Sequence, residues 1–312
     1  MSIINKWFKN KEISLLPYIS ENIHTISPND PQIMGWEITK FNIPNAWNLS
    51  DGEGVVVAVL DTGCDLDHQD IKDNLIEGIN FIEKNSSPID KNGHGTHVSS
   101  TIAASNNNRG IVGVAPKSKI VPVKVLGNSG TGTVGTIIDG IYWASDQTNI
   151  NFITMSLGSS GSNKDIEKAI NYAENKNKIV FCAAGNSGVD SDIMYPAKYP
   201  NTIAIGAIDE NLQRTVFSCS GDSLDFLAPG HNIMGCAPNN KYAKMSGTSM
   251  SNPFAVGIAS LLLSYNLKNH KYKLSDYNDY KNILKQYSKP LNDIRYGTAK
   301  KYQGYGIIYP VI

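Results

Sequence analysis

The sequence has no surplus of charge of either sign: lysine plus arginine number 28, and so do aspartate plus glutamate. A broad nucleic-acid footprint needs a basic excess, so a partner of that kind is not expected. Long hydrophobic runs are missing too. The longest, residues 254–263, is shorter than the roughly 18 residues of a membrane span and contains Gly257 and Ser260, so no membrane association is expected. The N-terminal stretch MSIINKWFKNKEISLLPYIS is broken by charges and asparagines and lacks the apolar core of a secretion signal. Read from Met1, the chain is expected in the cytosol. Cysteine is sparse. Cys64, Cys182, Cys219 and Cys236 form no C-x-x-C pair and no zinc-like spacing, which predicts free thiols, mostly buried as packing residues. The 27 glycines have no collagen-like period.

What remains is enough for a large core, with 41% hydrophobic residues against 18% charged ones. From Gly54 the texture becomes regular. Val55 to Leu60 is a continuous apolar, β-branched run, the signature of a strand buried on both faces. Similar runs follow at 120–126, 151–157, 178–184 and 202–207. Helical spacing lies between them at 95–104, 134–146 and 165–176. This alternation predicts an α/β fold, three layers with a mostly parallel central sheet flanked by helices. A further apolar stretch, 249–265, predicts a buried helix. Small Ala255, Gly257 and Ala259 would allow tight packing, and Pro253 is expected in its first turn. From about Asn266 the chain is rich in Lys, Tyr and Asn and reads as surface helix plus loop. Residues 1–30 lack periodicity and read as an appendage. The organisation expected is an N-terminal extension, residues 1–20, followed by a single domain, residues 21–312.

Ligands of open parallel sheets bind beyond the carboxyl ends of the strands. The first run ends in Asp61-Thr62-Gly63 and the fourth in Ala184-Gly185-Asn186. Asn92-Gly93-His94-Gly95-Thr96-His97 sets an imidazole at the mouth of a helix, and Ser246-Gly247-Thr248-Ser249 sets a hydroxyl at the start of the buried one. Singly these are weak signals. The chain order Asp61, His94, Ser249 is that of the subtilisin triad. Together AVLDTGCDLDH, NGHGTHVSS, MSLG, AAGN and SGTSMSNP resemble the motifs of subtilisin-type serine proteases, from about Ile43 to Leu263, with a fainter match in YQGYGIIYP.

The resemblance implies a serine endopeptidase working through an acyl-enzyme, with Asp61, His94 and Ser249 as triad and Asn186 as oxyanion donor. Serine needs a base at neutral pH, imidazole is suited to the task, and a carboxylate fixes the ring's tautomer. It also implies that Gly130-Thr131-Gly132 and Ser156-Leu157-Gly158 are backbone rails between which a peptide adds as a strand. Leu126 and Ile137 would wall an upstream apolar pocket. The primary pocket would lie between Leu157-Gly158 and Ala183-Ala184-Gly185, with Met194 near its base. Ser159 and Phe254 depart from the usual glycine and histidine of the family.

Structural calcium is implied at Asp70 and the loop 105–111, through side chains of Asp70 and Asn107 and carbonyls of Ser105, Arg109 and Ile111. A weaker cation site would use carbonyls of Ala197, Tyr199 and Thr202. No organic cofactor is implied. Leu15-Leu16-Pro17-Tyr18 resembles the inhibitory segment of intracellular subtilisins, which lack a secretion signal and are typically homodimers. Such a segment would lie in the substrate groove, where Pro17 would hold the nearby peptide bond away from Ser249. Polypeptide substrates and intracellular protein turnover follow; the alternative is a dedicated processing protease for a peptide leader or precursor.

Other classes leave traces. Gly130 to Gly135 satisfies G-x-G-x-x-G, yet no acidic residue ends the next strand to hold a ribose. His94 and His97 are spaced H-x-x-H without the glutamate of zinc proteases, and His97 is expected as a packed residue one helical turn on. A scaffold without activity would not need all three triad residues.

Overall fold

The apolar runs become the strands of one sheet in the computed structural model, which describes residues 12–21, 25–27 and 30–310. In chain order the strands are β1 (Glu12–Leu15), β2 (Ile19–Ser20), β3 (Val56–Asp61), β4 (Ile79–Asn80), β5 (Lys119–Lys124), β6 (Thr131–Thr133) and β7 (Phe152–Met155). They continue as β8 (Leu157–Gly158), β9 (Ile179–Ala183), β10 (Thr202–Ile208), β11 (Phe226–Pro229), β12 (Ile233–Ala237) and β13 (Lys241–Ser246). The α-helices are α1 (Trp36–Lys40), α2 (Ile43–Trp47), α3 (His94–Ala103), α4 (Val134–Asp146), α5 (Lys164–Asn175), α6 (Thr248–Asn269), α7 (Tyr277–Tyr287) and α8 (Lys300–Gln303).

Seven strands form the central sheet in the order β11-β10-β9-β7-β3-β5-β4, and every neighbouring pair is parallel. Strand β3 lies inside it, with Leu60 opposite both Met155 and Val123. Its residues are buried from Val57 onward, which is why it is written as an unbroken apolar run. Helices α3 and α6 pack together and across the sheet, as do α4 and α5. Among the described residues no helix is long and apolar enough to cross a membrane. All four cysteines are free and buried.

Three expectations shift. The run 151–157 is broken at Ser156, so Leu157–Gly158 leaves the central sheet and joins a different one as β8. The buried helix begins at Thr248, which puts Pro253 in its second turn rather than its first. Proline there leaves the carbonyl four residues back without its helical donor. That carbonyl is Ser249's, and the Ser156 hydroxyl donates to it at 3.1 Å. Finally, the N-terminal appendage is structured where it is described. Strand β1 lies between β6 and β8, antiparallel to both, and β2 extends the β12–β13 pair. Residues 1–11 of the expected extension lie outside the described residues.

The tail follows expectation. In α7 only Tyr277, Tyr280 and Leu284 are buried, one face of a surface helix.

Candidate active site

Asp61 ends β3 and is fully buried, with Oδ1 2.8 Å and Oδ2 3.0 Å from His94 Nδ1. Oδ1 also accepts the Thr62 N–H at 2.8 Å. His94 is the first residue of α3. Asp90 builds the turn that delivers it: Oδ1 accepts from the N–H groups of Asn92 and Gly93, and Oδ2 from the N–H and hydroxyl of Thr96. Gly93, the residue before the helix, has φ +106°, a conformation that side chains disfavour. The imidazole is therefore aimed by a carboxylate on one nitrogen and a rigid turn beneath it. Its Nε2 is buried and unpartnered.

Ser249 is the second residue of α6 and lies against Ser156, between β7 and β8. Its hydroxyl donates to the Ser156 carbonyl at 3.3 Å, and the Ser156 hydroxyl returns a bond to the Ser249 carbonyl. Asn252 reinforces this junction, donating to Thr154 Oγ1 at 2.8 Å and to the Met155 carbonyl at 3.3 Å. Asn186 follows β9. Its Oδ1 accepts from the Thr248 N–H at 2.9 Å and the Thr248 hydroxyl at 2.8 Å. This fixes the amide so that Nδ2 points outward, where it donates to the Pro17 carbonyl at 2.6 Å. The oxygen in line with the candidate oxyanion donor thus belongs to the chain's own N-terminal arm.

The arm runs between the two rails named from sequence. Ile13 faces Gly132, Ser14 faces both Thr131 and Gly158, and Leu15 faces Leu157. The Leu15 N–H donates to the Gly130 carbonyl at 2.9 Å. A Cβ on Gly130 would lie 2.8 Å from Leu15 Cδ1, and one on Gly158 2.9 Å from Leu16 Cδ2 and 3.0 Å from the Tyr195 carbonyl oxygen, so the arm packs closely over both glycines. Beyond Pro17 the Tyr18 ring lies 5.0 Å from the His94 ring, centre to centre. Ile19 and Ser20 then pair with Ser246 and Met245, an onward strand contact that sequence reading missed. Leu16 is buried against Gly158, and Met194 Cβ lies 3.5 Å from where a Gly158 Cβ would be. The Met194 N–H donates to the Ala184 carbonyl. Ala183 ends β9, Met194 Cγ lies 2.8 Å from where a Gly185 Cβ would be, and Leu126 and Ile137 are buried, Leu126 reaching to 3.0 Å from where a Gly132 Cβ would be.

The loop of the expected calcium site closes around a residue that sequence reading did not single out. Gln32 Nε2 lies 2.8 Å from the Ser105 carbonyl, 3.3 Å from Asn107 Oδ1, and 2.9 Å from the carbonyls of Arg109 and Ile111. An amide nitrogen carries two hydrogens, so it cannot serve four acceptors. Asp70 Oδ1 is buried without a partner, while Oδ2 takes the Ile111 N–H and the Tyr242 hydroxyl. Burial, partly offset by these bonds, pushes the Asp70 carboxyl up. Converging oxygens with one orphaned carboxylate oxygen fit a hard cation. A lone glutamine in a polar stretch carries no local signal of this role. At the second expected site, the Thr202 hydroxyl lies 3.0 Å from the Ala197 carbonyl and 2.8 Å from that of Tyr199.

His68, Asp70 and Cys236 also offer ligand atoms within 4.8 Å of one another. Both nitrogens of His68 are already engaged, Nδ1 by the Asp70 N–H and Nε2 by the Lys241 carbonyl, so the ring is a packing element beneath the loop. His97 is a packed residue as well. Its Nε2 meets the Ile233 carbonyl at 3.0 Å, and burial lowers its pKa to about 4, so it is neutral. The glycine-rich 130–135 run forms a strand against the arm and then enters α4, where Thr133 and Thr136 exchange bonds as a capping box, rather than a phosphate-binding turn.

Comparison with known proteins identifies the family. The subtilase family model matches residues 52–306. The major intracellular serine protease of Bacillus subtilis is 38% identical over 312 residues, covering 96% of this chain and 94% of that protein. Thermitase of Thermoactinomyces vulgaris is 41% identical over 241 residues, 76% of this chain and 86% of the relative. Subtilisin Savinase of Lederbergia lenta is 43% identical over 236 residues, 75% and 86% respectively. With Asp61 and His94 bonded at the end of β3 and the family match covering residues 52–306, this chain belongs to the subtilase family of serine endopeptidases.

Proposed function

We propose that Asp61, His94 and Ser249 are the triad of this endopeptidase, and that the chain is made as a precursor whose arm occupies its own groove. In the active state the Ser249 hydroxyl attacks the scissile carbonyl while His94 Nε2 takes its proton and later returns it to the leaving amine. Asp61 holds the ring's Nδ1–H and stabilises the imidazolium. Asn186 Nδ2 and the Ser249 N–H, which sits in a helix's first turn where N–H groups lack helical acceptors, receive the oxyanion. Water then releases the acyl group by the same route.

The observation that carries the reading is the Pro17 carbonyl on Asn186. For cleavage, the carbonyl at the oxyanion donor must belong to the residue whose side chain fills the primary pocket. Here the buried side chain is that of Leu16, and the carbonyl is that of the next residue. Pro17, with fixed φ and no N–H, sustains this one-residue mismatch. Tyr18 covers His94, and Ser249 points at Ser156 instead of the imidazole. Residues 1–20 act as the inhibitory extension and 21–312 as the catalytic body.

A fluorophosphonate probe tests this. The full chain is expected to label slowly, a chain lacking residues 1–18 quickly, and Ser249→Ala not at all. Equal labelling of the first two overturns the inhibitory role, and label retained on Ser249→Ala overturns the triad.

Calcium at Asp70, Gln32, Asn107 and the carbonyls of Ser105, Arg109 and Ile111 would supply only structural charge compensation. The Ala197–Thr202 carbonyls form the weaker cation site. A cytoplasmic setting and general protein turnover belong to the same reading, supported by the intracellular serine proteases among the relatives, and a homodimer is proposed with them.

A further inference from the structure

Asn186 is held at its side chain by Thr248, but its backbone must be held as well, because the donor moves with it. The residues on either side of it are both fastened to Cys219. The Cys219 N–H donates to the Gly185 carbonyl at 2.9 Å, and the Ser187 N–H donates to Cys219 Sγ at 3.4 Å. One step further, the Gly188 N–H donates to the Phe217 carbonyl at 2.8 Å. The strip 217–219 is itself pinned. Arg214, fully buried, donates through one terminal nitrogen to the carbonyls of Ser218 at 2.8 Å and Cys219 at 2.5 Å, and through the other to that of Tyr302 at 3.1 Å. We infer that Cys219 is a positioning residue for the oxyanion donor: its sulfur holds the Ser187 N–H and so sets where Asn186 Nδ2 points.

The chemistry suits the task. Burial pushes the Cys219 thiol up, so it stays neutral and presents sulfur lone pairs to a backbone N–H. Burial also draws the Arg214 pKa down to about 10, which leaves it charged at neutral pH and clamped on carbonyls. A rigid bracket matters because a donor stabilises a developing charge only when it is already in place. The inference rests on the proposed oxyanion role of Asn186.

The test is a double-mutant cycle on enzyme freed of residues 1–18, because the arm occupies the groove of the full chain, with kcat normalised to sites titrated by fluorophosphonate. Cys219→Ala, which removes the acceptor with little change in volume, is expected to lower kcat about five- to tenfold with KM within twofold. Cys219→Ser keeps an acceptor on a shorter bond and is expected to fall between it and the parent. In an Asn186→Ala background, Cys219→Ala is expected to change kcat less than twofold, because the group it positions is gone. A general structural role would lower kcat equally in both backgrounds, and that result overturns the inference, as does a parent-like kcat for Cys219→Ala. If Asn186→Ala itself leaves kcat unchanged, the oxyanion reading fails and the inference fails with it.

Discussion

The arm and the body it lies on are held in opposite ways. In β3, deep in the body, side chains from Val57 to Asp61 are buried and the register is fixed by packing on both faces. In the arm, main-chain pairing to the rails is joined by only two buried side chains. Of residues 12–21 only Ile13 and Leu16 are buried, and Ile19 is 60% exposed. Backbone pairing is available to any peptide, so a groove built this way accepts many chains and grips none by sequence alone. An arm held in this manner is displaceable, whereas the strands beneath it are not. Perturbations of the two regions should therefore read out differently.

The largest effect is expected in the body. Asp61→Asn should lower kcat about ten-thousand-fold, since the amide would favour the wrong imidazole tautomer while leaving the geometry intact. Turnover of a peptide substrate and an unchanged circular dichroism spectrum check this. Next comes Glu37, buried in α1 with Oε2 unpartnered, whose pKa burial raises to about 7. In the unfolded chain it ionises near 4.5. Below that pH both states are protonated and nothing is lost. As pH climbs from 4.5 to 7 only the unfolded state ionises freely, so folding stability falls, and the loss levels off above 7. Glu37→Gln should recover up to about 3 kcal/mol relative to the parent across that window. Urea unfolding of both proteins at pH 4.5 and pH 8 measures the difference, and a gap independent of pH would refute the assignment.

The same contrast explains what could be read in advance. Parallel strands buried on both faces are written as contiguous Val, Ile and Ala, so β3, β9 and β10 were legible within about a residue or two. The helix 134–146 was legible by its period alone, and the Thr133 capping box that starts it emerged only in the structure. Asp61, His94, Asn186 and Ser249 stood out by motif and chain order. The arm's course was legible only through resemblance, because pairing by main chain leaves little trace in side chains. Gln32, Glu37 and Arg214 left no trace at all. They are residue types usually found at the surface, and their roles depend on partners as far as 88 positions away, as with Arg214 and the Tyr302 carbonyl. The break at Ser156 was hidden too, since an apolar run does not reveal where a strand changes sheets.

Gln32 stands where the chain leaving the arm is fastened to the body, so the proposed cation cradle would tie the two regions. A chelator should lower the melting temperature by about 5 °C if the site is saturated a hundredfold over its Kd, a stabilisation of about 2.7 kcal/mol. Gln32→Leu should shrink that shift. Should the amide work only as a hydrogen-bond donor, chelation would do nothing, and Gln32→Leu would lower the melting temperature equally with and without calcium.

The smallest effect distinguishes side-chain from main-chain grip within the arm itself. Leu16 is 1% exposed, and burial of a leucine contributes about 2 kcal/mol. Leu16→Ala should therefore favour arm release roughly thirtyfold, seen as faster fluorophosphonate labelling of the full chain with an unchanged melting temperature for the body. Ser14 is exposed and pairs with Thr131 and Gly158 through its main chain, which alanine retains. Ser14→Ala should label at the parent's rate. Equal acceleration in both variants would mean that the arm is gripped uniformly along its length, and the contrast between a packed body and a backbone-held arm would not survive.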